Sequence, residues 1–429
     1  MRVLVLSLLM FSVVASARAD LLESKAAYFR QVLLSRHLAR EGVVLYRVNL
    51  QTIARDLERG SYPNLADTPT FTGQLAAGAC TRADFETGRA QREALDDAER
   101  ALSGLEFLMD VTGVRGLLAR GVRRRTDPDV ETLRGKRFQG AGRFSYYVWR
   151  GDVSMDQYAN GLLPAVAACR VHFPARTRHL IVDAAAHLLE HNMRLVDPDG
   201  EPTTYGNLSR WAGFGFNAIA QLTGYAVFAL AAELDPDPRW MRQRERLRDH
   251  DRVLARSRRT NLRILGITNY SNELMSWNLY RVLIPLAQRT GDPGLADLRH
   301  GMLRTWLRVR DINNAYYTLV LCHVEPPSCE PWALASARVL LERFPREKRR
   351  LTPDPALAML SRRWLPGRKF QRQARQLVPI ELRPVSSFEW KSSPYRMEVH
   401  VSPDTEYTGL DYLVAYWLYR ALPAGVGQP

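Results

Sequence analysis

The sequence predicts an all-α protein built from helices in pairs. Three observations carry this expectation: apolar residues recur at helical spacing along most of the chain, helix-stop phrases return at intervals, and alternating strand patterns are nearly missing. Within 21–58, Leu33, Leu34 and Leu38, then Val44, Leu45, Val48, Ile53 and Leu57, describe one or two amphipathic helices, with Gly42 as a break. Further helices are expected over 91–110, 154–170, 176–195, 213–234, 239–257, 271–290, 294–309, 313–322, 331–343, 355–364 and 408–421, about twelve in all. The last of them, around Leu413 to Tyr419, is apolar nearly all round and belongs inside the protein. Only Arg396–Val401 reads as a short strand. Phrases such as Leu234-Asp235-Pro236-Asp237-Pro238 and Thr290-Gly291-Asp292-Pro293 close one helix and open the next. Glycine supplies the left-handed cap and proline suits the first turn. The stretch 344–407, rich in Pro, Arg and Ser, is expected to be an irregular arm wrapped on the helices before the last one closes the fold.

The N-terminus has the parts of a secretory signal peptide: Met1-Arg2, an apolar run from Val3 to Ala15, and Ala17-Arg18-Ala19 as a small-x-small site. The run is too short for the 17 to 25 or so apolar residues of a membrane span. Cleavage is expected after Ala19, leaving 20–429 as a single domain in the periplasm or outside the cell, with no membrane span. An oxidising compartment permits disulfides, and the expected pairs are Cys322 with Cys329 and Cys80 with Cys169. No C-x2-C spacing supports zinc, and no metal is expected. The net charge of +15 first points to polyanions. Export argues against nucleic acid, and only five of the 60 basic residues are lysine, an arginine bias that coding composition can produce. An anionic glycan remains as the partner class.

Helical hairpins of unequal length, joined by long loops carrying aromatic and acidic residues in an exported chain of this size, resemble the (α/α)6 toroid of the six-hairpin glycosidase superfamily. The resemblance covers most of residues 40 to 421. It implies a ring of paired helical hairpins with long connecting loops, a site in the mouth of the ring and no cofactor. The activities it implies are glycoside hydrolysis, unsaturated uronyl hydrolysis, polysaccharide lysis or sugar epimerisation.

Four phrases carry candidate chemistry. In 144–158, aromatic residues including Trp149 lead to Asp152 and Asp156; flat rings stack on sugars, and paired carboxylates supply acid and base. Ser154-x-x-Gln157 also fits a capping box, a purely structural use. In 187–211, His187 and His191 share a helix face, and a polar loop then offers Tyr205, Asn207 and Trp211. The order H-x-x-E-H invites a zinc reading but lacks further ligands. In 268–280, Asn269, Glu273 and Trp277 form one stripe beside Tyr270, with Glu273 a site carboxylate. In 386–412, Thr408 to Asp411 opens the last helix and adds Asp411.

The expected function is therefore a glycoside hydrolase using Asp152, Asp156, Glu273 and Asp411, with Trp149, Tyr205, Asn207, Trp211, Tyr270 and Trp277 holding sugar. A uronic-acid lyase or epimerase, with Tyr205, His187 or His191 as base, predicts a cleft lined by Arg and Tyr instead. A glycan-binding scaffold predicts aromatic rings without two carboxylates in reach of one ligand.

Overall fold

The computed structural model describes residues 21–53, 65–127, 133, 135–212, 217–259, 268–352, 354–360, 362–363, 373–398 and 401–426. The expected signal peptide lies outside them. Six inner helices form a closed ring: α2 (Thr68–Phe85), α4 (155–169), α6 (Ala218–Leu234), α8 (Tyr270–Thr290), α10 (Ala315–Val324) and α12 (Leu410–Arg420). Each packs on the next, and α12 returns to α2. Between them in the chain run six outer helices: α1 (21–37), α3 (Gly88–Asp110), α5 (Pro174–Glu190), α7 (238–250), α9 (Leu295–Val309) and α11 (Pro331–Arg343). The described residues thus form an (α/α)6 toroid.

Sequence sorts the helices into the two layers. α2 is buried without a break from Thr68 to Thr81, α6 from Ala218 to Ala231 and α12 from Leu410 to Leu418, as helices with apolar or small residues on every face must be. α3 buries one stripe that includes Ala94, Ala98, Ala101, Leu102, Leu105, Leu108 and Met109, and apart from Asp97 it leaves its charges outside the core. Because inner and outer helices alternate, all six inner helices point the same way. Their N-terminal ends share one face, the mouth, and the described residues of the longest connections (within 38–67, 111–154, 191–217, 251–269 and 344–409) enter the inner helices there. Turns on the opposite face span only a few residues.

The α2–α4 contact is unusually close. A Cβ on Gly73 would lie 2.3 Å from the Gly161 backbone, and one on Gly161 would lie 2.5 Å from the Pro69 carbonyl oxygen, so only glycine lets these helices touch. The Cys80–Cys169 disulfide fastens the same two helices further along, and Cys322–Cys329 ties the end of α10 to the start of α11; both pairs are those expected from the sequence. Lys25 on α1 donates to the carbonyls of Leu341, Glu342 and Phe344, which caps the C-terminal end of α11.

The mouth loops carry small antiparallel sheets that the sequence reading did not anticipate. β1 (Arg47–Asn49) pairs with β10 (Ser402–Tyr407), which pairs with β7 (Arg349–Arg350). β4 (Tyr147–Arg150) lies between β2 (Gly121–Arg124) and β3 (Arg137–Gln139), β5 (Arg194–Val196) pairs with β6 (Pro202–Asn207), and β8 (Arg362–Arg363) with β9 (Gln373–Ala374). Strands of two to six residues are too short to show a reliable period-two pattern. Of the expected strand Arg396–Val401, only Arg396 makes a bridge, to Gln373; residues 399–400 lie outside the described set, and the strand begins at Ser402. The helix expected to run on to residue 58 gives way after α1 to β1 and a single turn, Leu50–Ile53.

Candidate active site in the mouth of the ring

The paired glycines draw the N-terminal ends of α2 and α4 together, and each end carries an aspartate: Asp67 at the cap of α2 and Asp156 in the first turn of α4. Side chains bind the approach segments to each other. Arg120 donates to the carbonyls of Ala66 (3.1 Å) and Asp152 (3.0 Å), and Gln157 also donates to Ala66 (3.4 Å). From the arm, Lys391 reaches Asp67 with its Nζ 3.1 Å from Oδ2, and a quarter of each of these two side chains remains open. Arg150 and Tyr46 complete the surroundings, and the Tyr46 ring stacks on Phe71 5.0 Å away.

These neighbours push the two carboxyls in opposite directions. Burial alone raises Asp67, but Lys391, Arg120 and Arg150 outweigh it and hold the group below the usual carboxylate range. Asp156 is raised by burial and then by the charge of Asp67; Ser154, Arg120 and Lys391 pull it back only in part. The Ser154 hydroxyl lies within reach of two acceptors, Gln157 Oε1 at 2.8 Å and Asp156 Oδ1, and its donation to Asp156 opposes the upward shift. Ser154 N–H also donates to Gln157 Oε1 at 2.9 Å, so the expected capping box is present. A carboxyl held low beside one held high is the division of pKa values that an acid–base pair uses.

Beneath them the ring axis is polar. Asn160, one turn after Asp156, accepts from Gln74 through its carbonyl and from Asn278 through its side chain (2.9 Å). Asn278 in turn accepts from the Tyr316 hydroxyl, and Arg281 donates to Tyr316 and Thr81. Four inner helices contribute to this buried floor, which holds their spacing.

Asp152 joins the site as a brace. Its φ of 58° is in the left-handed region, which Asp tolerates better than most residues. Its N–H donates to the Asp197 carboxylate at 3.1 Å and its Oδ1 accepts from Thr204 N–H at 2.7 Å, so it fixes the β5–β6 hairpin against the mouth.

Other residues expected in the site sit elsewhere. Asp411 is sealed: its side chain is 0% exposed, paired with Lys348 at 2.7 Å, and accepts the Glu389 N–H at 2.8 Å. Glu273 is buried 3.8 Å from Arg308. Both stand at helix starts, where a carboxylate serves the helix dipole, and neither opens to the mouth as an acid or base. Trp149 and Trp277 are core residues, packed on Phe138 and Tyr317, because a mostly apolar helix or a covered strand takes its Trp inside. Tyr270 is buried and its carbonyl accepts from Tyr317. Tyr205 and Trp211 are exposed, and Asn207 accepts from Ser209 N–H and Oγ–H. Both ring nitrogens of His187 are engaged: Nε2 accepts from Val196 N–H and Nδ1 faces the Arg115 carbonyl at 3.0 Å, while burial, with His191, lowers its pKa to about 4.

Asp67, Lys391, Arg120, Arg150 and Tyr46 were absent from the sequence expectation. One signal could have found Asp67, since Ala66-Asp67-Thr68-Pro69 has an N-cap acid followed by proline in the first turn.

No family model matches the chain, and no curated protein does. Among solved structures, the chain is similar to the GH family 9 endoglucanase J30 and to a Zn-binding triple mutant of that enzyme. Identity is 12% to each, with TM-scores of 0.46 and 0.45; the matches cover 95% of this chain and 84% of those chains.

Proposed function

We propose that this protein is an exported glycoside hydrolase whose acid and base are Asp156 and Asp67. The observation that supports the reading is two carboxyls at the adjoining starts of α2 and α4, Asp67 held low by Lys391, Arg120 and Arg150, and Asp156 held high by burial and by the charge of Asp67. Glycosidic bond cleavage needs this division, since the acid protonates the leaving oxygen while the base or nucleophile works at the anomeric carbon. Asp152 acts as a positioning residue that fixes the hairpin carrying Thr204 and Tyr205. Two disulfides fit an oxidising compartment, and among the described residues no helix is long and apolar enough to cross a membrane.

The test is a screen of neutral and acidic polysaccharides for new reducing ends, run beside Asp67→Asn and Asp156→Asn. Release of reducing ends that either substitution abolishes supports the reading. Products carrying a new double bond, seen as ultraviolet absorbance, would instead indicate a lyase.

A further inference from the structure

A second feature of the mouth face lies outward of the carboxylate pair. Between the C-terminal ends of α5 and α7 and the segment Ser209–Trp211, a groove of about 420 Å³ opens at the rim. Its floor is apolar, with Leu188, Leu189 and Leu247, and its edges are cationic. Arg194, Arg210 and Arg246 line it together with His191, and the one carboxylate in the lining, Asp251, is already engaged by Arg210 (3.4 Å) and His250 (3.1 Å). Arg194 and Arg246 make no ion pair among the described residues. Trp211 is 66% exposed, and the Arg210 guanidinium sits 4.5 Å from its ring centre.

The wall of this groove is built at a conformational cost. Asn192 and Met193 are consecutive non-glycine residues at positive φ (51° and 65°), a pairing that persists only where surrounding contacts impose it. Here Met193 N–H donates to the Leu188 carbonyl at 2.7 Å, and the Met193 side chain fills the notch left by Gly224. The turn delivers Arg194 to the start of β5, and the hairpin it opens is the one Asp152 braces through Thr204. A second rim groove makes a useful contrast. The cavity of about 670 Å³ beside α3 also has aromatic lining, but its arginines 40, 124 and 143 are balanced by Glu41, Glu106 and Asp110. Of these two grooves, the one at Trp211 combines an exposed indole with guanidinium groups, Arg194 and Arg246, that make no ion pair among the described residues.

We propose that this groove binds a carboxylated sugar ring, with the indole of Trp211 against the ring face and Arg194 and Arg246 on the carboxylate. An indole covers the C–H face of a pyranose, and a guanidinium matches a carboxylate with two parallel hydrogen bonds. The groove is thus a subsite for a uronate residue of the substrate chain; its assignment as a subsite, unlike its binding chemistry, rests on the hydrolase reading above.

The test is calorimetric titration of the full mature chain with three probes: an oligogalacturonate hexamer, the same hexamer with its carboxyls reduced to alcohols, and a neutral hexamer sulfated to equal charge. The carboxylated hexamer is expected to bind at least tenfold more tightly than the reduced one. Trp211→Ala, and separately the double substitution Arg194→Gln with Arg246→Gln, should each weaken it at least tenfold. Equal binding of the reduced hexamer, or parent-like affinity in the groove variants, overturns the proposal. So does sulfated-hexamer binding as tight as the carboxylated one and indifferent to Trp211→Ala, which is diffuse charge attraction. If binding depends on Trp211 while no glycan is ever cleaved, the hydrolase reading falls and the groove stands. Cleavage of a glycan with full uronate binding in the groove variants gives the reverse.

Discussion

Two aspartates at inner-helix starts each meet a lysine from the same arm, and they end up in opposite conditions. Asp411, in the first turn of α12, pairs with Lys348 where neither side chain is more than 4% exposed. Its Oδ2 also accepts Glu389 N–H, Oδ1 accepts Tyr412 N–H, and the Trp390 indole closes the space by donating to the Asp411 carbonyl. Asp67, at the start of α2, pairs with Lys391 with a quarter of each side chain open, and Asp156 lies beside it. The same ion pair is a fastener where it is sealed, and under the proposed function a reactive group where it is partly open beside a second carboxyl. Lysine placement follows the same rule: all four lysines among the described residues (Lys25, Lys136, Lys348 and Lys391) hold specific partners, while arginine carries most of the surface charge.

Exchanging the two aspartates in turn breaks the comparison most directly. Asp67→Asn or Asp156→Asn should lower kcat/KM on a responsive glycan by roughly 10³-fold, about 4 kcal/mol of barrier, with denaturation midpoints close to the parent. Asp156→Asn should leave stability unchanged or slightly raised, because a carboxyl whose folded pKa is elevated costs the native state stability once ionised. Asp411→Ala should do the opposite. It strands the Lys348 ammonium in a dry site and should cost about 3–5 kcal/mol in urea unfolding, with turnover per folded molecule retained. Loss of turnover without loss of stability in Asp411→Ala would erase the distinction.

The glycine contact is the next lever, since it sets the approach of the two acidic ends. Gly161→Val forces a side chain against the Pro69 carbonyl and should spread α2 from α4. The expected cost is about 1–3 kcal/mol of stability from overpacking. A further roughly tenfold to 100-fold loss of kcat is expected, because a displacement near 1 Å at a reacting pair is felt at that scale. Parallel unfolding and steady-state kinetics separate the two. A variant that is destabilised but fully active per folded molecule would show that the carboxylates do not depend on this contact.

Most helices of both layers were legible in the sequence, and the main loss was one inner helix. Amphipathic outer helices announce themselves by a stripe, so the expected 91–110, 294–309 and 331–343 match α3, α9 and α11 within a few residues. The inner helix α2 was missed. Thr68-Pro69-Thr70-Phe71-Thr72-Gly73 and the small residues that follow have poor helix propensity and no apolar stripe, because every face is buried. With α2 went Asp67, and with Asp67 the charge that adds to burial in raising the pKa of Asp156. Asp156 itself was legible, since an acid after Ser154 at a helix start is a local pattern. Its chemistry was not, because Lys391 and Arg120 reach Asp67 across hundreds or tens of residues of sequence, and no local pattern encodes that. The aromatic expectations divided for a related reason: an isolated Trp reads the same whether a neighbouring helix covers it, as at Trp277, or leaves it open, as at Trp211.

Removing the arm lysine gives the finest test, because it moves both carboxyls without deleting either. In the parent, kcat/KM should rise with pH as Asp67 ionises and fall as Asp156 loses its proton, a bell whose acidic limb lies below the usual carboxylate range and whose basic limb lies above it. Lys391 lowers both groups, through a direct hydrogen bond to Asp67 and through its charge at Asp156. Lys391→Met should therefore shift both limbs toward higher pH, the acidic limb more, and so narrow the bell. The stability signs follow from the same directions. Asp67, lowered in the fold, contributes stability above the unfolded value of about 3.9 that is lost as pH falls through its folded pKa; Asp156, raised, contributes a penalty that is relieved as pH falls through its own. Lys391→Met should reduce the first and enlarge the second, so the variant loses stability at neutral pH and regains part of the loss in acid. At Asp411 a bell shift has no counterpart, since Lys348→Met there should lower stability and leave the pH profile of turnover where it was.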